Sequence, residues 1–169
     1  MRPAVPADAP AIAAIHVETW RVAYASIFEP GFLHRISLEE RRTMWAGHLA
    51  AVPPRHHTHV AEAGTHGVVG FCACGPTRDP DVPGLAEVYA LYVEPSHWGG
   101  GTGTALMEAA CLALVEDGYR EAVLWVLEAN GRARAFYERL GWVADGADKP
   151  HQEGTTALRY RSTLGGYHR

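Results

Sequence analysis

The sequence predicts a single mixed α/β domain over residues 1–169, and three observations lead to this fold class. The chain has 169 residues, within the roughly 100–200 residues that are usual for one domain. Hydrophobic residues make up 47% and charged residues 20% of the chain, as is ordinary for a globular protein. Segments with helical periodicity alternate with β-branched and aromatic runs, which is typical of helices and strands that share one sheet.

The first third of the chain predicts an edge strand and two helices. Residues 1–5 can form a short strand, whose pairing is limited by two prolines. Asp8 is the expected N-cap of a first helix with one apolar face. Ser37 and Glu40 match a capping box, so we expect a second helix that runs to about Leu49.

The remainder of the chain alternates strands and helices. Gly118 is expected to end one helix, and Asn130 to cap another that Gly141 follows. Each predicted strand contains β-branched or aromatic residues and is flanked by turn residues. The predicted strands are His59–Glu62, Val68–Cys74, Ala86–Val93, Ala122–Leu127, Trp142–Ala144 and Thr156–Tyr160.

Charge and composition disfavour several classes of function. The formal net charge is −4, from 15 basic and 19 acidic residues. Because no basic footprint for a phosphate backbone is present, no nucleic-acid partner is expected. Lys149 is the only lysine, and its polar, turn-like segment is a poor setting for a Schiff-base or P-loop lysine.

The cysteines and the lack of long apolar runs predict the location of the protein. No apolar run approaches the roughly 18–20 residues of a membrane span, and the N-terminus lacks the basic-then-apolar order of a signal peptide. Cys72, Cys74 and Cys111 cannot all pair within one chain, and no CxxC motif occurs. We therefore expect reduced thiols in a cytoplasmic protein with no membrane partner.

A glycine-rich turn between a strand and a helix predicts a phosphate site. Four of the five residues from 99 to 103 are glycine, and glycine lets backbone N–H groups approach a ligand closely. The first N–H groups of the following helix would then face the anion. The dinucleotide fingerprint fails because Thr104 holds the third glycine position, and the P-loop pattern fails for want of a lysine. A loop that only turns the chain is the alternative.

The block LYVEPSHWGGGTGTALMEAA resembles the acyl-CoA-binding motif of the GNAT superfamily of N-acetyltransferases. Gly101 and Gly103 match its two small positions, whereas Trp98 stands where Gln or Arg is usual and Gly100 where a basic residue is common. A second block, LWVLEANGRARAFYERLGW, resembles the later family motif of a strand, Asn, a helix with Phe-Tyr and then Gly-Trp. The resemblance is strong from Leu85 to Trp142.

This resemblance implies a mainly antiparallel mixed sheet with about four helices, in which strands 86–93 and 122–127 splay and open a cleft. Acetyl-CoA is the implied co-substrate, held partly by backbone N–H groups, and no metal is expected. The residues implied to bind acetyl-CoA are Leu91, Tyr92, Val93, Gly99, Gly100, Gly101, Thr102, Gly103, Thr104, Asn130 and Tyr137.

Two side chains are candidates for the chemistry of acetyl transfer to an amine. A phenol with a pKa near 10 can protonate a departing thiolate with a pKa near 8.5, and the resemblance places Tyr137 beside the sulfur. Glu87 is the candidate base for the amine, directly or through water, with Glu128 in reserve. The competing interpretations are core packing for Tyr137 and a solvated or acceptor-binding carboxylate for Glu87.

Aromatic side chains are expected to form the acceptor pocket. The candidates are Trp20, Tyr24, Phe28, Tyr89 and Trp125. For the first three, core packing between helices is an equally good interpretation. By the period of two along a strand, Tyr89 should share a face with Glu87 and Leu91. Trp125 fills a position where some relatives carry a glutamate, which narrows the pocket.

The sequence as a whole predicts transfer of an acetyl group from acetyl-CoA to a primary amine, by direct attack in a ternary complex. A small-molecule amine is the expected acceptor, since an aromatic-walled pocket favours one and an open acidic groove would favour a protein. The alternatives are a protein N-terminus or lysine side chain, and a degenerate module that senses CoA. A homodimer is consistent with such families. His56, His57 and His59 lack further ligands at zinc spacing, so they predict no metal site.

Overall fold

The computed structural model describes residues 1–167, which form one seven-stranded sheet and five α-helices. The strands are β1 (Arg2–Pro3), β2 (His57–Glu62), β3 (Val68–Pro76), β4 (Ala86–Val93), β5 (Glu121–Leu127), β6 (Val143–Pro150) and β7 (Thr156–Thr163). The helices are α1 (Ala9–Ala23), α2 (Pro30–His34), α3 (Leu38–Ala50), α4 (Thr102–Glu116) and α5 (Gly131–Arg139). Within residues 1–167, none of the helices combines the length and the apolar character that a membrane span requires.

The sheet has the order β1-β2-β3-β4-β5-β7-β6, and its strands are antiparallel except at the centre. β4 and β5 run parallel and pair only over Ala86–Val88 and Ala122–Leu124. Beyond these residues the two strands part, so their facing edges lack a partner strand over residues 89–93 and 125–127. The predicted mixed, mainly antiparallel sheet with a splayed central pair is therefore confirmed.

Helices cover both faces of the sheet, and neighbouring residues of β3 alternate between two apolar cores. Cys72 and Cys74 are buried with Cys111 of α4 in the first core. Phe71 is buried in the second core with α1 and α3, where it packs 4.9 Å from the ring of Trp45. Burying one large apolar side chain contributes roughly 1.5–3 kcal/mol, so the two cores stabilise the sheet from both faces.

Predicted local signals set several helix ends. The Ser37 side chain accepts the Glu40 N–H at the start of α3, and that of Asn130 accepts the Ala133 N–H at the start of α5. Gly118 follows α4 with φ +88°, a conformation that glycine adopts without steric cost. These caps satisfy backbone groups that the helices leave free.

Two features of the N-terminal third differ from the prediction. The Asp8 carboxylate does not cap α1, because it accepts hydrogen bonds from the Arg2 guanidinium and the Val5 N–H instead. Pro30 begins the short helix α2, which was not predicted, and proline fits the first turn of a helix. With α2 the structure has five α-helices, where about four were predicted.

The last two strands are longer than predicted. β6 and β7 end at Pro150 and Thr163 instead of Ala144 and Tyr160. Most of β6 is exposed at the edge of the sheet, so it lacks the apolar alternation that predicts a strand. The extension carries Lys149 alongside β7, out of the turn that its sequence indicated.

Candidate active site

A cleft of about 890 Å³ opens where β4 and β5 part, and most of the predicted site residues line it. The implied acyl-CoA contacts that line it are Leu91, Tyr92, Val93, Gly99, Gly101, Gly103, Thr104, Asn130 and Tyr137. The catalytic and acceptor candidates that line it are Glu87, Tyr137, Trp20, Tyr24, Tyr89 and Trp125. We call residues 99–103 the glycine loop. Its residues Gly100 and Thr102 do not line the cleft. Phe28 and the reserve base Glu128 do not line it either.

The glycine loop leaves backbone donors free at the start of α4. Gly101 is the N-cap residue, with φ +85°, and no side chain caps the first turn. The first bond of the helix runs from the Ala105 N–H to the Gly101 carbonyl, so the N–H groups of residues 102–104 have no partner within the helix. A Cβ at Gly103 would lie 3.3 Å from the Phe136 ring. Uncapped amides at a helix start, next to a surface without bulky side chains, fit the pyrophosphate of an acyl-CoA.

Trp98 fastens the glycine loop to the end of β4. Its indole N–H donates a hydrogen bond to the Val93 carbonyl at 2.6 Å, and the Thr19 hydroxyl donates to the same oxygen at 3.3 Å. Arg132 of α5 is exposed and lines the cleft next to Trp98. The side chain that replaces the usual Gln or Arg therefore serves as an anchor for the loop.

Tyr137 both packs in the core and lines the cleft. Its ring lies 5.3 Å from that of Phe136 and 6.5 Å from that of Tyr160. Burial raises the pKa of Tyr137, and the neighbouring Tyr92 adds to that effect. The Tyr137 hydroxyl is consequently protonated at neutral pH, which is the state that a proton donor needs.

Glu87 is a buried carboxylate in the cleft wall and is held by Arg78. Its Oε1 accepts from the Arg78 Nη2 at 2.5 Å, and its Oε2 accepts from the Arg78 backbone N–H at 2.8 Å and from Nε at 3.4 Å. The guanidinium also lies 4.3 Å over the Tyr89 ring, so Glu87 and Tyr89 share a side of β4 as predicted. A carboxylate has about four lone-pair positions, so three bonds leave one on Oε1 for a further donor.

A β-bulge at Tyr89 changes the facing of the residues that follow. In the register with β3, Val88 and Ala90 occupy successive paired positions, and Tyr89 is the extra residue. Tyr89 and Ala90 both pack toward the core of α1 and α3, whereas Leu91 packs in the core of α4. The prediction that Tyr89 and Leu91 share a face is wrong, because the period of two is interrupted at the bulge.

Aromatic side chains at the end of α1 and just after it form another part of the cleft wall. The Trp20 indole N–H donates to the Tyr92 hydroxyl at 2.8 Å, and the Trp20 and Tyr24 rings meet edge to face at 5.0 Å. Burial raises the pKa of Tyr24 well above its usual value. Phe28 stacks on Trp20 at 6.2 Å and is only 4% exposed, so it supports this wall from behind.

Lys149 completes this part of the cleft, and sequence reasoning missed it. Its ammonium group lies 3.8 Å from the centroid of the Trp125 ring, and both side chains line the cleft. We call the part walled by Trp20, Tyr24, Tyr89, Trp125 and Lys149 the acceptor half. The one available signal was that the chain contains a single lysine.

His16 is a second lining residue that was not predicted for the site. Its ring stacks on Tyr92 at 5.0 Å, and its Nδ1 accepts from the Trp45 indole N–H at 3.2 Å. Burial, and then the charge of Arg41, lower the pKa of His16 to about 4. His16 is therefore neutral near pH 7, and it carries its proton on Nε2 because Nδ1 is the acceptor.

The histidines near β2 do not form a ligand cluster. Among residues 1–167 there is no group of three or more His, Cys, Asp or Glu side chains placed to hold a metal ion. The His57 ring instead contacts the Asp117 carboxylate at 2.7 Å and lies 6.3 Å from the ring of His59.

The sheet splays at its centre, and a glycine loop and a helix start face the opening. The sequence profile of the Acetyltransferase (GNAT) family matches residues 14–142. The chain belongs to this family, which confirms the predicted family.

Individual relatives match over different shares of their length. The chain is 29% identical to the uncharacterised N-acetyltransferase YuaI of Bacillus subtilis over 120 residues, which are 70% of this chain and 66% of that protein. It is 40% identical to the mycothiol acetyltransferase of Salinispora arenicola over 99 residues, 57% of this chain and 29% of that protein. The chain thus spans less than two thirds of these relatives.

The fold also matches a solved structure that contains coenzyme A. The PaiA N-acetyltransferase of Thermoplasma acidophilum, in complex with coenzyme A, superposes with a TM-score of 0.71 at 17% identity. The match covers 95% of this chain and 97% of that one. At this level of identity, the likeness is one of fold.

Proposed function

We propose that the protein transfers the acetyl group of acetyl-CoA to a primary amine on a small molecule, by direct attack in a ternary complex. One observation carries this proposal. The cleft that holds uncapped helix amides at the glycine loop continues to an acceptor half walled by aromatic side chains. The two substrates can therefore meet in one cavity, and alignment of reactants can supply much of the rate.

The chain offers a donor and an acceptor for the two proton transfers. The amine nitrogen forms a bond to the thioester carbonyl carbon, and the carbon–sulfur bond breaks. Tyr137 donates its proton to the leaving sulfur, and Glu87 takes the proton of the amine, directly or through water, on the free position of Oε1. The unpaired edge of β4 after Val88 offers backbone N–H groups to the developing oxyanion.

The lining of the acceptor half supports a small molecule over a protein as the acceptor. Aromatic rings wall it, and Glu87 is the only carboxylate side chain among the described residues that line the cleft. An acidic lining would favour the binding of a basic peptide, because opposite charges attract. The relative named mycothiol acetyltransferase matches 57% of this chain and 29% of its own length, and the support for a small acceptor comes from the lining of the cleft.

The test combines binding with turnover. Acetyl-CoA should raise the melting temperature, because a ligand of the native state stabilises it. Release of CoA thiol should then depend on the amine across a panel of small amines, peptides and aminoglycosides. A flat response across the panel, with the melting shift intact, would support the CoA-sensing alternative, and no shift at millimolar CoA would refute binding at this site.

A further inference from the structure

The acceptor half contains an ammonium group whose nearby carboxylates are already engaged. The Lys149 Nζ lies 3.8 Å from the centroid of the Trp125 ring. The carboxylates whose charges act on it are Glu87 and Asp79, and each is bound by an arginine, at 2.5 Å and 2.8 Å respectively. Within residues 1–167, Lys149 forms no ion pair with a carboxylate.

This arrangement bears on the binding of an amine. A free alkyl amine with a pKa near 10 is an ammonium ion at neutral pH, and the charge of Lys149 repels it. An acceptor that also carries a negative group reverses that effect, because the group can bind Lys149 while the amine lies further along the cleft. The same repulsion favours the neutral form of the amine, which is the form that attacks a thioester.

We propose that Lys149 binds a carboxylate of the acceptor, which makes the acceptors small amino acids or other amines that carry a carboxylate. This inference rests on the function proposed above. The Trp125 ring contacts the ammonium group from one side by a cation–π interaction and leaves N–H donors for the ligand. The neighbouring cations Arg78 and Arg159 are already paired, Arg78 with Glu87 and Arg159 with Asp79 and Asp145. One free ammonium group matches a monoanion, whereas phosphate is usually held by several donors.

The test uses pairs of amines that differ only in one negative charge. The acids are glycine, β-alanine, 4-aminobutyrate and phenylalanine, and the matched controls are their amides. The series varies the distance from amine to carboxylate, so it does not assume the position of the reacting nitrogen. We expect at least one acid to exceed its amide about tenfold or more in kcat/KM, since a charge-assisted hydrogen bond is lost in the amide.

Variants of Lys149 locate the effect. Lys149→Gln should lower the acid-to-amide ratio of kcat/KM to about one, and Lys149→Arg should keep most of it. Arg120→Gln is the control, because Arg120 is exposed and does not line the cleft. This variant should leave the acid-to-amide ratio of kcat/KM unchanged. The melting temperature of the CoA complex provides a second readout, since the preferred acid should raise it more than its amide does.

The outcomes separate this inference from the proposed function. Amides acetylated as well as their acids, or an acid preference that survives Lys149→Gln, would overturn the role of Lys149 and leave the acetyltransferase proposal standing. Absence of acetylation with every acid and every amide would also overturn the role of Lys149, and it would overturn the proposed function only if every amine of the wider panel failed too.

Discussion

The guanidinium carbon of Arg132 lies 3.2 Å from the centroid of the Trp98 ring, at the edge of the glycine loop. The indole N–H is at the same time bonded to the end of β4, so the ring is a fixed platform for the guanidinium. Cation–π contacts of this kind contribute ~0.5–2 kcal/mol. Through this pair, α5 brings a cation to the loop, which itself lacks the basic side chain usual in the motif.

Arg132→Gln should therefore weaken the binding of CoA about 5–30-fold, which corresponds to ~1–2 kcal/mol for a lost charged hydrogen bond. Isothermal titration calorimetry with CoA and with pantetheine measures the effect. Pantetheine lacks the phosphates, so its affinity should not change. Arg42→Gln is the matched control, because Arg42 is exposed on α3. A loss of affinity that is equal for CoA and pantetheine would contradict a phosphate contact.

Tyr137→Phe should reduce turnover by ~10²–10⁴-fold, the usual range for general acid catalysis. The ring and its packing against Tyr160 remain, so affinity for acetyl-CoA should stay within about twofold. Steady-state release of CoA measures turnover, and calorimetry measures affinity. Tyr119→Phe is the control, since Tyr119 is a buried tyrosine that does not line the cleft. Unchanged turnover in the Tyr137 variant would mean that Tyr137 packs in the core and does not act as a proton donor.

Gly101→Ala should destabilise the fold by ~1–2 kcal/mol, because an alanine at φ +85° is forced into the left-handed region. For a chain of this size, such a change lowers the melting temperature by roughly 2–8 °C. Gly100→Ala is the matched control, because its φ is not positive and a Cβ would meet no atom closer than 3.8 Å. Equal melting temperatures for the two variants would show that the loop does not require this geometry.

Acid should destabilise the protein through His16. The pKa of His16 is about 4 in the folded state, below the ordinary 6.5. Its contribution is therefore fully present above pH 6.5 and is lost as the pH falls towards 4, since the unfolded chain binds the proton first. Between pH 7.5 and 5, His16→Gln should lose ~2 kcal/mol less free energy of unfolding than the wild type.

Urea denaturation at each pH measures this difference. Gln retains an acceptor for the Trp45 indole, and His34→Gln, at an exposed position, should follow the wild-type curve. Parallel curves for the wild type and the His16 variant would mean that His16 titrates normally.

The elements that the sequence predicts well are those whose signals are local. Ala86–Val93 has the same limits in the prediction and in the structure, because its β-branched run ends at a proline. Ser37 and Asn130 cap the expected helices, since a cap needs only the residue and the turn that follows it. The glycine loop and Tyr137 could be placed at one cleft because two spaced motifs carry the family resemblance.

The features that were missed depend on contacts between distant segments. The bulge at Tyr89 is set by the register of β3 against β4, which a single strand does not reveal. The segment around Lys149 has the composition of a turn, and only pairing with β7 makes it a strand. Asp8 could cap a helix, but it binds Arg2 instead. In each case, tertiary packing overrides a local preference.

Burial of all three cysteines has a practical consequence for measuring activity. Cys72, Cys74 and Cys111 have no exposed surface, and burial raises their pKa values, to about 12 for Cys74 and Cys111. A chromogenic disulfide reagent reacts with thiolates, so the native enzyme should contribute almost no background to an assay that counts released CoA. The same reagent would report unfolding, because three thiols become reactive only when the central sheet comes apart.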